Sequence, residues 1–285
     1  MRYDVAGWVL VAAAGATVLL LVVITAVRAS TIVASRRHAR ERADALPLLL
    51  AITDGVDVPL PDDRRAARAL GTSAAALVHK VRGADRADLA GWLRRNGFRE
   101  EALRGLRARR PARRAAAAEL YLALDDDPGP VLPLLSDTHA RVRATVVRAL
   151  GEAGAVTAIP AIVEAAVAAR GVSTSTAAMA VVQAGPSSAS AFGPVWDSAD
   201  PRARRLAADV AGHLGHADAR LHLERALRSE DQMLRTHAAV ALGRVGSPLS
   251  VGALETALVV AVRGSVEEHA ILDALAALDS PREVP

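Results

Sequence analysis

A helical pattern recurs about every 31 residues over the carboxyl-terminal part of this chain of 285 residues. Its clearest copy is the stretch from Asp137 to Glu164, which reads DTHARVRATVVRALGEAGAVTAIPAIVE. The glycine that closes LGEAG, Gly154, serves as a landmark. Equivalent residues follow at spacings of 29, 31, 30, 31 and 33, and the set is Asp125, Gly154, Gly185, Gly215, Gly246 and Asp279. A period of this length predicts a stack of helical hairpins.

Each unit combines an alanine-rich first helix, a Gly or Asp that ends it, a short turn and a second apolar run. Alanine has the highest helix propensity and lets helices approach closely, and glycine tolerates the left-handed conformation of a helix cap. One such hairpin buries apolar surface on one side only, so its stability comes from its neighbours in the stack. The sequence therefore predicts an all-α chain, an α-solenoid of about five to six hairpins, preceded by a single transmembrane helix.

The segments VRATVVRALGEAGAVTAIPAI and LRTHAAVALGRVGSPLSVGAL resemble HEAT repeats of the short kind, similar to the phycobilisome lyase-type HEAT-like repeats. The resemblance covers residues 111–285, and the signatures of tetratricopeptide and ankyrin repeats are absent. It implies a protein-binding role. Two units depart from the pattern: the third is rich in Ser and Thr, and the last ends at DSPREVP without a second helix.

The amino-terminal segment from Val5 to Val27 is 23 residues long and uncharged. This length spans the hydrocarbon core of a bilayer, so we expect a transmembrane helix at 5–27 and a short extracytoplasmic tail at 1–4. A secretory signal peptide is the competing interpretation. Its apolar region is shorter and a cleavage site follows it, whereas Arg28 stands at that place here.

Arginines flank the apolar segment asymmetrically, with Arg2 before it and a cluster after it. The positive-inside rule predicts a single-pass protein of the cell membrane, with its amino terminus outside and its repeats in the cytoplasm. We expect the cluster to contact anionic lipid headgroups. It comprises Arg28, Arg36, Arg37, Arg40 and Arg42.

Prolines interrupt the region between the apolar segment and the repeats. We expect a basic stalk and linker over 28–72, broken at Pro47 and in the run VDVPLPDD. Two helices are predicted at about Ser73–Arg82 and Ala84–Asn96, within a divergent helical cap at 73–110. The repeats follow over 111–285.

One arginine of the first helix recurs in four of the six units, at Arg114, Arg143, Arg204 and Arg235. Equivalent residues of a solenoid line up along one face, so these four are candidates for a ladder that binds an acidic partner. The alternative interpretation is that each guanidinium pairs with a carboxylate of its own or the adjacent unit, near Asp137, Asp200 or Asp231, and stabilises the stack.

Candidate catalytic and metal-binding groups are few. The histidines His213, His216 and His222 lie close in sequence, but a glycine interrupts them, and we expect solvated or capping roles. The run Asp125 to Asp127 is expected to be a solvated turn or a helix cap. Phosphate-loop, nucleophile-elbow and HExxH motifs are absent, and no cysteine is present. The sequence therefore predicts no catalytic site, cofactor or metal, and a protein that is not an enzyme.

The leading hypothesis is a membrane-anchored scaffold whose solenoid binds a protein partner, such as an envelope-associated enzyme of the glycosyltransferase kind. Two alternatives stay open. The resemblance includes lyases that act on a bound chromophore, although the chain has few aromatic residues. Nucleic-acid binding through the arginine-lined face is the other, and it is disfavoured because aromatic side chains for base stacking are scarce.

Overall fold

The computed structural model describes residues 45–78 and 80–279. The predicted transmembrane helix at 5–27 and the juxtamembrane arginines Arg28, Arg36, Arg37, Arg40 and Arg42 lie outside these residues, as does the final segment after Asp279. Within 45–78 and 80–279, no helix is both long and apolar enough to cross a bilayer.

The described residues are helical and contain no strand. The helices are α1 (45–53), α2 (Arg64–Val78), α3 (Gly83–Arg95), α4 (Phe98–Gly105), α5 (Pro111–Leu124), α6 (Ala140–Glu152), α7 (Ile159–Val167), α8 (Thr174–Ala184), α9 (Pro201–Leu214), α10 (Arg220–Ala226), α11 (Gln232–Val245), α12 (Val251–Val260) and α13 (Val266–Asp279). Short 3-10 segments lie at Leu132–Ser136, Val156–Ala158, Ala189–Asp197, Ala217–Ala219 and Pro248–Ser250.

The chain divides into two compact units between Asn96 and Gly97. In the first unit, α2 begins at Arg64, ahead of the start predicted at Ser73, because nothing between Pro61 and Val78 breaks a helix after the proline-containing linker. Trp92 is fully buried here, and its indole Nε1 donates to the carbonyl of Val58 at 2.6 Å.

The second unit contains the predicted hairpins, whose first helices are α5, α6, α8, α9, α11 and α13. The landmark glycines of four units end α6, α8, α9 and α11 with φ between 65° and 71°. This region favours glycine because a side chain clashes there. The sequence-based prediction of all-helical repeats is confirmed.

Successive first helices approach closely where each carries a glycine in its last turn. A Cβ built on Gly151 of α6 would lie 2.6 Å from the carbonyl oxygen of Ala180 in α8. Gly212 meets Ala241 at 2.7 Å and Gly243 meets Ala274 at 3.0 Å in the same way. The third unit has a valine at this position, Val182, and packing between α8 and α9 is sparse. The stack is thus tight except after the third unit.

The second apolar run of the third unit, FGPVW, is not a regular helix. It lies in a 3-10 segment, Ala189–Asp197, that kinks at Gly193, where φ is 44° and ψ is −120°. Pro194 follows and lacks the amide hydrogen that a continuous helix needs. Phe192 and Trp196 bury their rings edge to face, with centroids 5.4 Å apart, and so hold this irregular element against the core.

Candidate interaction surface

The four ladder arginines occupy one structural position. Arg114, Arg143, Arg204 and Arg235 each stand three residues after the first residue of α5, α6, α9 and α11, respectively. At this position an arginine side chain is able to fold back over the amino-terminal turn toward the preceding loop. The repeat register read from the sequence is therefore correct for these residues.

Arg114 and Arg235 each form a two-pronged ion pair with a carboxylate that belongs to the next unit. Arg114 donates from Nε and Nη2 to Asp137 at 2.6 and 2.8 Å. Arg235 donates likewise to Glu267 at 2.6 and 2.8 Å, and the Glu267 side chain is 1% exposed. Paired donors from one guanidinium match carboxylate geometry and hold the two groups in a fixed orientation.

The same guanidiniums also donate hydrogen bonds to backbone carbonyls of the loop that precedes their own helix. Nη1 of Arg235 donates to the carbonyls of Ser229 and Glu230 at 2.8 and 3.0 Å. Nη1 of Arg114 donates equivalently to Ala108 and Arg109 at 2.9 and 3.1 Å. Each of these arginines therefore joins a loop, its own helix and the adjacent unit.

Arg143 and Arg204 occupy the same position in their helices, but neither forms an ion pair with a described carboxylate. Nη1 of Arg143 donates to the carbonyl of Asp137 at 2.7 Å, and the residue is buried. No partner is found for Nε of Arg204 among the described residues. Beside it, Arg202 forms the ion pair with Asp200 at 2.7 Å and donates to the carbonyl of Val167.

These contacts bear on the two interpretations of the ladder. Three of the four guanidiniums are held by groups of this chain, in the arrangement expected of residues that join neighbouring units. Binding of an acidic partner by Arg114, Arg143, Arg204 and Arg235 stays a prediction, and such a partner would compete with the ion pairs at Arg114 and Arg235.

We expect the Asp137 ion pair to make stability depend on pH in acid. The hydrogen bond from Arg114 holds the pKa of Asp137 below its ordinary value of 3.8. A lowered pKa means that the folded state favours the carboxylate, so its contribution is complete above 3.8 and is lost as the pH falls through the lower folded pKa. Asp137→Asn should cost about 2 kcal/mol at pH 7 and progressively less below pH 3.8.

Urea unfolding at a series of pH values measures this difference between the Asp137→Asn variant and the unchanged chain. Asp273→Asn is the matched control, because Asp273 is exposed and forms no ion pair in the part of the chain that the structure describes. A cost of Asp137→Asn that stayed constant from pH 7 to pH 2.5 would contradict the prediction.

Several other candidate groups have structural partners. His216, which was expected to be solvated or capping, is instead buried, and no partner is found for its Nε2 among the described residues. His237 Nδ1 lies 2.6 Å from the Asp209 carboxylate, which therefore contacts the next unit rather than His213. The ring of His222 stacks on Trp196 with centroids 4.8 Å apart. Asp125 pairs with Arg99 at 2.6 Å. No group of His, Asp or Glu side chains that could hold a metal ion occurs in the described part of the chain.

An open groove lies between the first helices α6 and α8. Its volume is about 470 Å³. Met179 lies in it with 62% of the residue exposed, among the polar side chains of Thr145, Ser175 and Gln183. An exposed methionine with hydrogen-bonding neighbours is typical of adaptable protein-binding surfaces.

Two arginines line this groove, and one of them forms no ion pair with a described carboxylate. Arg148 is compensated by ion pairs with Glu119 and Glu152. Arg141 is exposed and forms no ion pair with a described carboxylate. The groove, which we call the α6–α8 groove, therefore offers an apolar contact at Met179 and a cation at Arg141 that no described carboxylate neutralises.

Sequence reasoning did not select Met179 or Arg141. The available signal was the departure of the third unit from the repeat, where a methionine stands on an otherwise alanine-rich helix and Ser173 to Thr176 replace the usual Arg. The structure shows what part of that departure does: the Ser173 side chain caps α8 by accepting from the Thr176 amide.

Comparison with known proteins supports the repeat assignment. A sequence profile described as HEAT repeats matches residues 191–276. No curated protein matches the chain significantly. Among solved structures, human deoxyhypusine hydroxylase in complex with glycerol is similar over 84% of this chain and 97% of its own, with 18% identity and a TM-score of 0.35.

The similarity to human deoxyhypusine hydroxylase corrects one prediction made from the sequence. That protein is an enzyme, so it contradicts the prediction that a chain of this kind is not an enzyme, and that prediction is withdrawn. Lack of a catalytic motif was a weak basis for it, since residues distant in sequence can form a site on a repeat scaffold. A TM-score of 0.35 is too low to argue for any particular activity of this chain.

Proposed function

We propose that this chain is a HEAT-type helical scaffold, held at the cell membrane through residues 5–27, that binds a protein partner in the α6–α8 groove. The observation that carries the proposal is the combination in one open groove of exposed Met179 and of Arg141, which no described carboxylate compensates. Large flexible apolar residues and arginines contribute disproportionately to protein–protein binding. The membrane location rests on the uncharged run and the arginines after it.

The chemistry of the groove specifies the partner segment. Met179 fits an apolar side chain, and Arg141 fits a carboxylate of the same segment. Hydroxyl and amide groups at Thr145, Ser175 and Gln183 both donate and accept hydrogen bonds, as a polypeptide requires. We therefore infer an acidic segment with an apolar anchor. The repeat resemblance and the membrane location together suggest an envelope-building enzyme, such as a glycosyltransferase, as the protein that carries it.

Site-directed photocrosslinking in cells tests this proposal. A photoreactive amino acid at Gln183, on the rim of the groove, should give a discrete protein adduct with the full-length chain. Met179→Glu should reduce its yield about tenfold, because loss of a central apolar contact costs more than about 1 kcal/mol and the new charge repels an acidic segment.

Met233→Glu is the matched control, since Met233 is also exposed, at 49%, but lies on α11 outside the groove. Its adduct yield should equal that of the unchanged chain. If the adduct were absent, or were reduced equally by both substitutions, the α6–α8 groove would not be the binding site.

A further inference from the structure

A second groove of different chemistry lies between the end of α4 and the segment that precedes α6. Its volume is about 730 Å³. Leu106 is buried at its base, and the half-buried Leu103 and Leu134 extend the apolar surface together with Pro130 and Pro133. We call it the α4 groove. Two segments that are distant in sequence form it, so the sequence alone does not reveal it.

Five arginines lie at this groove, in the turn before α5 or in the first turn of α5. Arg104 and Arg107 are among the residues that line the groove. None of the five forms an ion pair with a carboxylate of the described residues, in contrast to Arg99 and Arg114, which pair with Asp125 and Asp137. The set is Arg104, Arg107, Arg109, Arg110 and Arg113.

The surroundings leave this positive charge uncompensated within the described part of the chain. The first turn of α5 contains no acidic residue, so its amide groups add to the positive potential. Carboxylates near in sequence are Glu100 and Glu101, on α4, and Asp125, Asp126 and Asp127. Asp125 pairs with Arg99 at 2.6 Å, and the Asp127 side chain accepts from the amide of Gly129 at 2.9 Å. None of these carboxylates lines the groove.

We propose that the α4 groove binds an anionic phospholipid. The phosphate would lie between the Arg104 and Arg107 guanidiniums, which donate paired hydrogen bonds to phosphate oxygens. An acyl chain would cover the leucines and prolines. This interaction is separate from the binding of a protein partner in the α6–α8 groove.

The lining of the groove distinguishes a lipid from other anionic ligands. Among the described residues it consists of leucine, proline and arginine, and none of these side chains accepts a hydrogen bond. A peptide would leave its amide hydrogens without side-chain partners there, whereas the phosphate, ester and acyl parts of a phospholipid have acceptors and apolar surface only, and headgroup hydroxyls can stay in water. A single-stranded nucleic acid would stack its bases on aromatic side chains, and no described aromatic residue lines the groove. A duplex would contact the arginines through its phosphates and would leave the leucines and prolines uncovered.

Photolabelling of the full-length chain in nanodiscs tests the proposal. The nanodiscs contain phosphatidylcholine with a small fraction of phosphatidylglycerol that carries a diazirine in its acyl chain. We expect a covalent lipid adduct on peptides that contain Leu103 and Leu134. Replacement of both rim arginines, R104E/R107E, should lower the yield of the lipid adduct roughly tenfold or more. The reason is that each cation near an anionic surface raises the affinity several-fold.

The matched control is R228E/R263E, which makes the same charge change at two exposed arginines outside the groove. It should label like the unchanged chain, and circular dichroism should show equal helix content in all three proteins. Equal labelling by a diazirine phosphatidylcholine would overturn the proposal, and so would an equal loss in both double variants. A photoreactive group at Leu103 that gave a protein adduct in cells, in place of a lipid adduct, would assign the groove to a protein. Since these readouts do not involve Met179, they can fail independently of the proposed function.

Discussion

Replacement of Phe192 by alanine should reduce the local stability of the third unit by about 4 kcal/mol, the range typical of a large aromatic truncated inside a core. The Phe192 ring is fully buried and packs edge to face on Trp196. The 3-10 segment that carries both rings is kinked at Gly193, where the backbone leaves the helical region, and it contains Pro194. Its position therefore depends on side-chain packing, and a cavity there cannot be compensated by a continuous helix.

Hydrogen exchange followed by mass spectrometry measures this effect unit by unit, since opening free energies in a repeat array are local. Peptides from α8 and from 189–197 should exchange much faster in the Phe192→Ala variant. Leu249→Ala is the control, because Leu249 is 76% exposed and its truncation should change exchange little. Similar exchange rates in the two variants would show that the Phe192 ring is not part of the core.

The second large effect is expected at Gly151, where alanine should destabilise the chain by about 2 kcal/mol. Alanine gains about 1 kcal/mol over glycine from helix propensity alone. At Gly151, however, the added Cβ would lie 2.6 Å from the carbonyl oxygen of Ala180 and 2.7 Å from its Cα. Backbone atoms cannot rotate away, so α6 and α8 must separate, and overpacking of this kind costs about 1–3 kcal/mol or more.

Replacement of Gly252 by alanine should change the free energy of unfolding in the opposite direction. Gly252 is also helical, on α12, and nothing lies within 4 Å of the position that its Cβ would take. Gly252→Ala should therefore raise the free energy of unfolding by about 0.5–1 kcal/mol. Thermal unfolding monitored by circular dichroism compares the two. Stabilisation by both substitutions would mean that the first helices do not approach as closely as described.

The substitutions at Phe192 and Gly151 test two different causes of stability in the same stack. Phe192 stabilises an irregular element by filling volume, whereas Gly151 permits close approach by having no side chain. Val182 stands where Gly151, Gly212 and Gly243 stand in other units. Packing between α8 and α9 is sparse at that place in the stack.

Much of the fold was predictable because it depends on local patterns. Leu150 and Gly151 of α6 recur as Leu242 and Gly243 of α11, and the landmark glycines mark helix ends by their conformational freedom. A HEAT-repeat profile matches residues 191–276 of the same region. The apolar run FGPVW does not form a regular helix. Apolar spacing alone indicated a helix there, whereas Gly193 adopts a conformation outside the helical region.

The candidate sites were less predictable. The ladder arginines were found in register, but the sequence left open whether a partner or the chain itself satisfies them. Only the structure placed Glu267 against Arg235, across a sequence separation of 32 residues. Met179 is exposed although it lies on a helix that is otherwise largely apolar, and the α4 groove brings Leu103 next to Leu134. Neither arrangement has a local sequence pattern.

The sequence by itself determined the repeat period, the helical nature of the units and the carboxyl-terminal ends of four first helices. It also determined the equivalence of Arg114, Arg143, Arg204 and Arg235. These properties follow from backbone conformational preferences and from periodic apolar side chains, which act over one or two turns. Only the tertiary structure decided which of the described arginines pair with a carboxylate and where two segments enclose a groove. Those outcomes depend on distances between units, and such distances are set by the packing of side chains that are remote from one another in the chain.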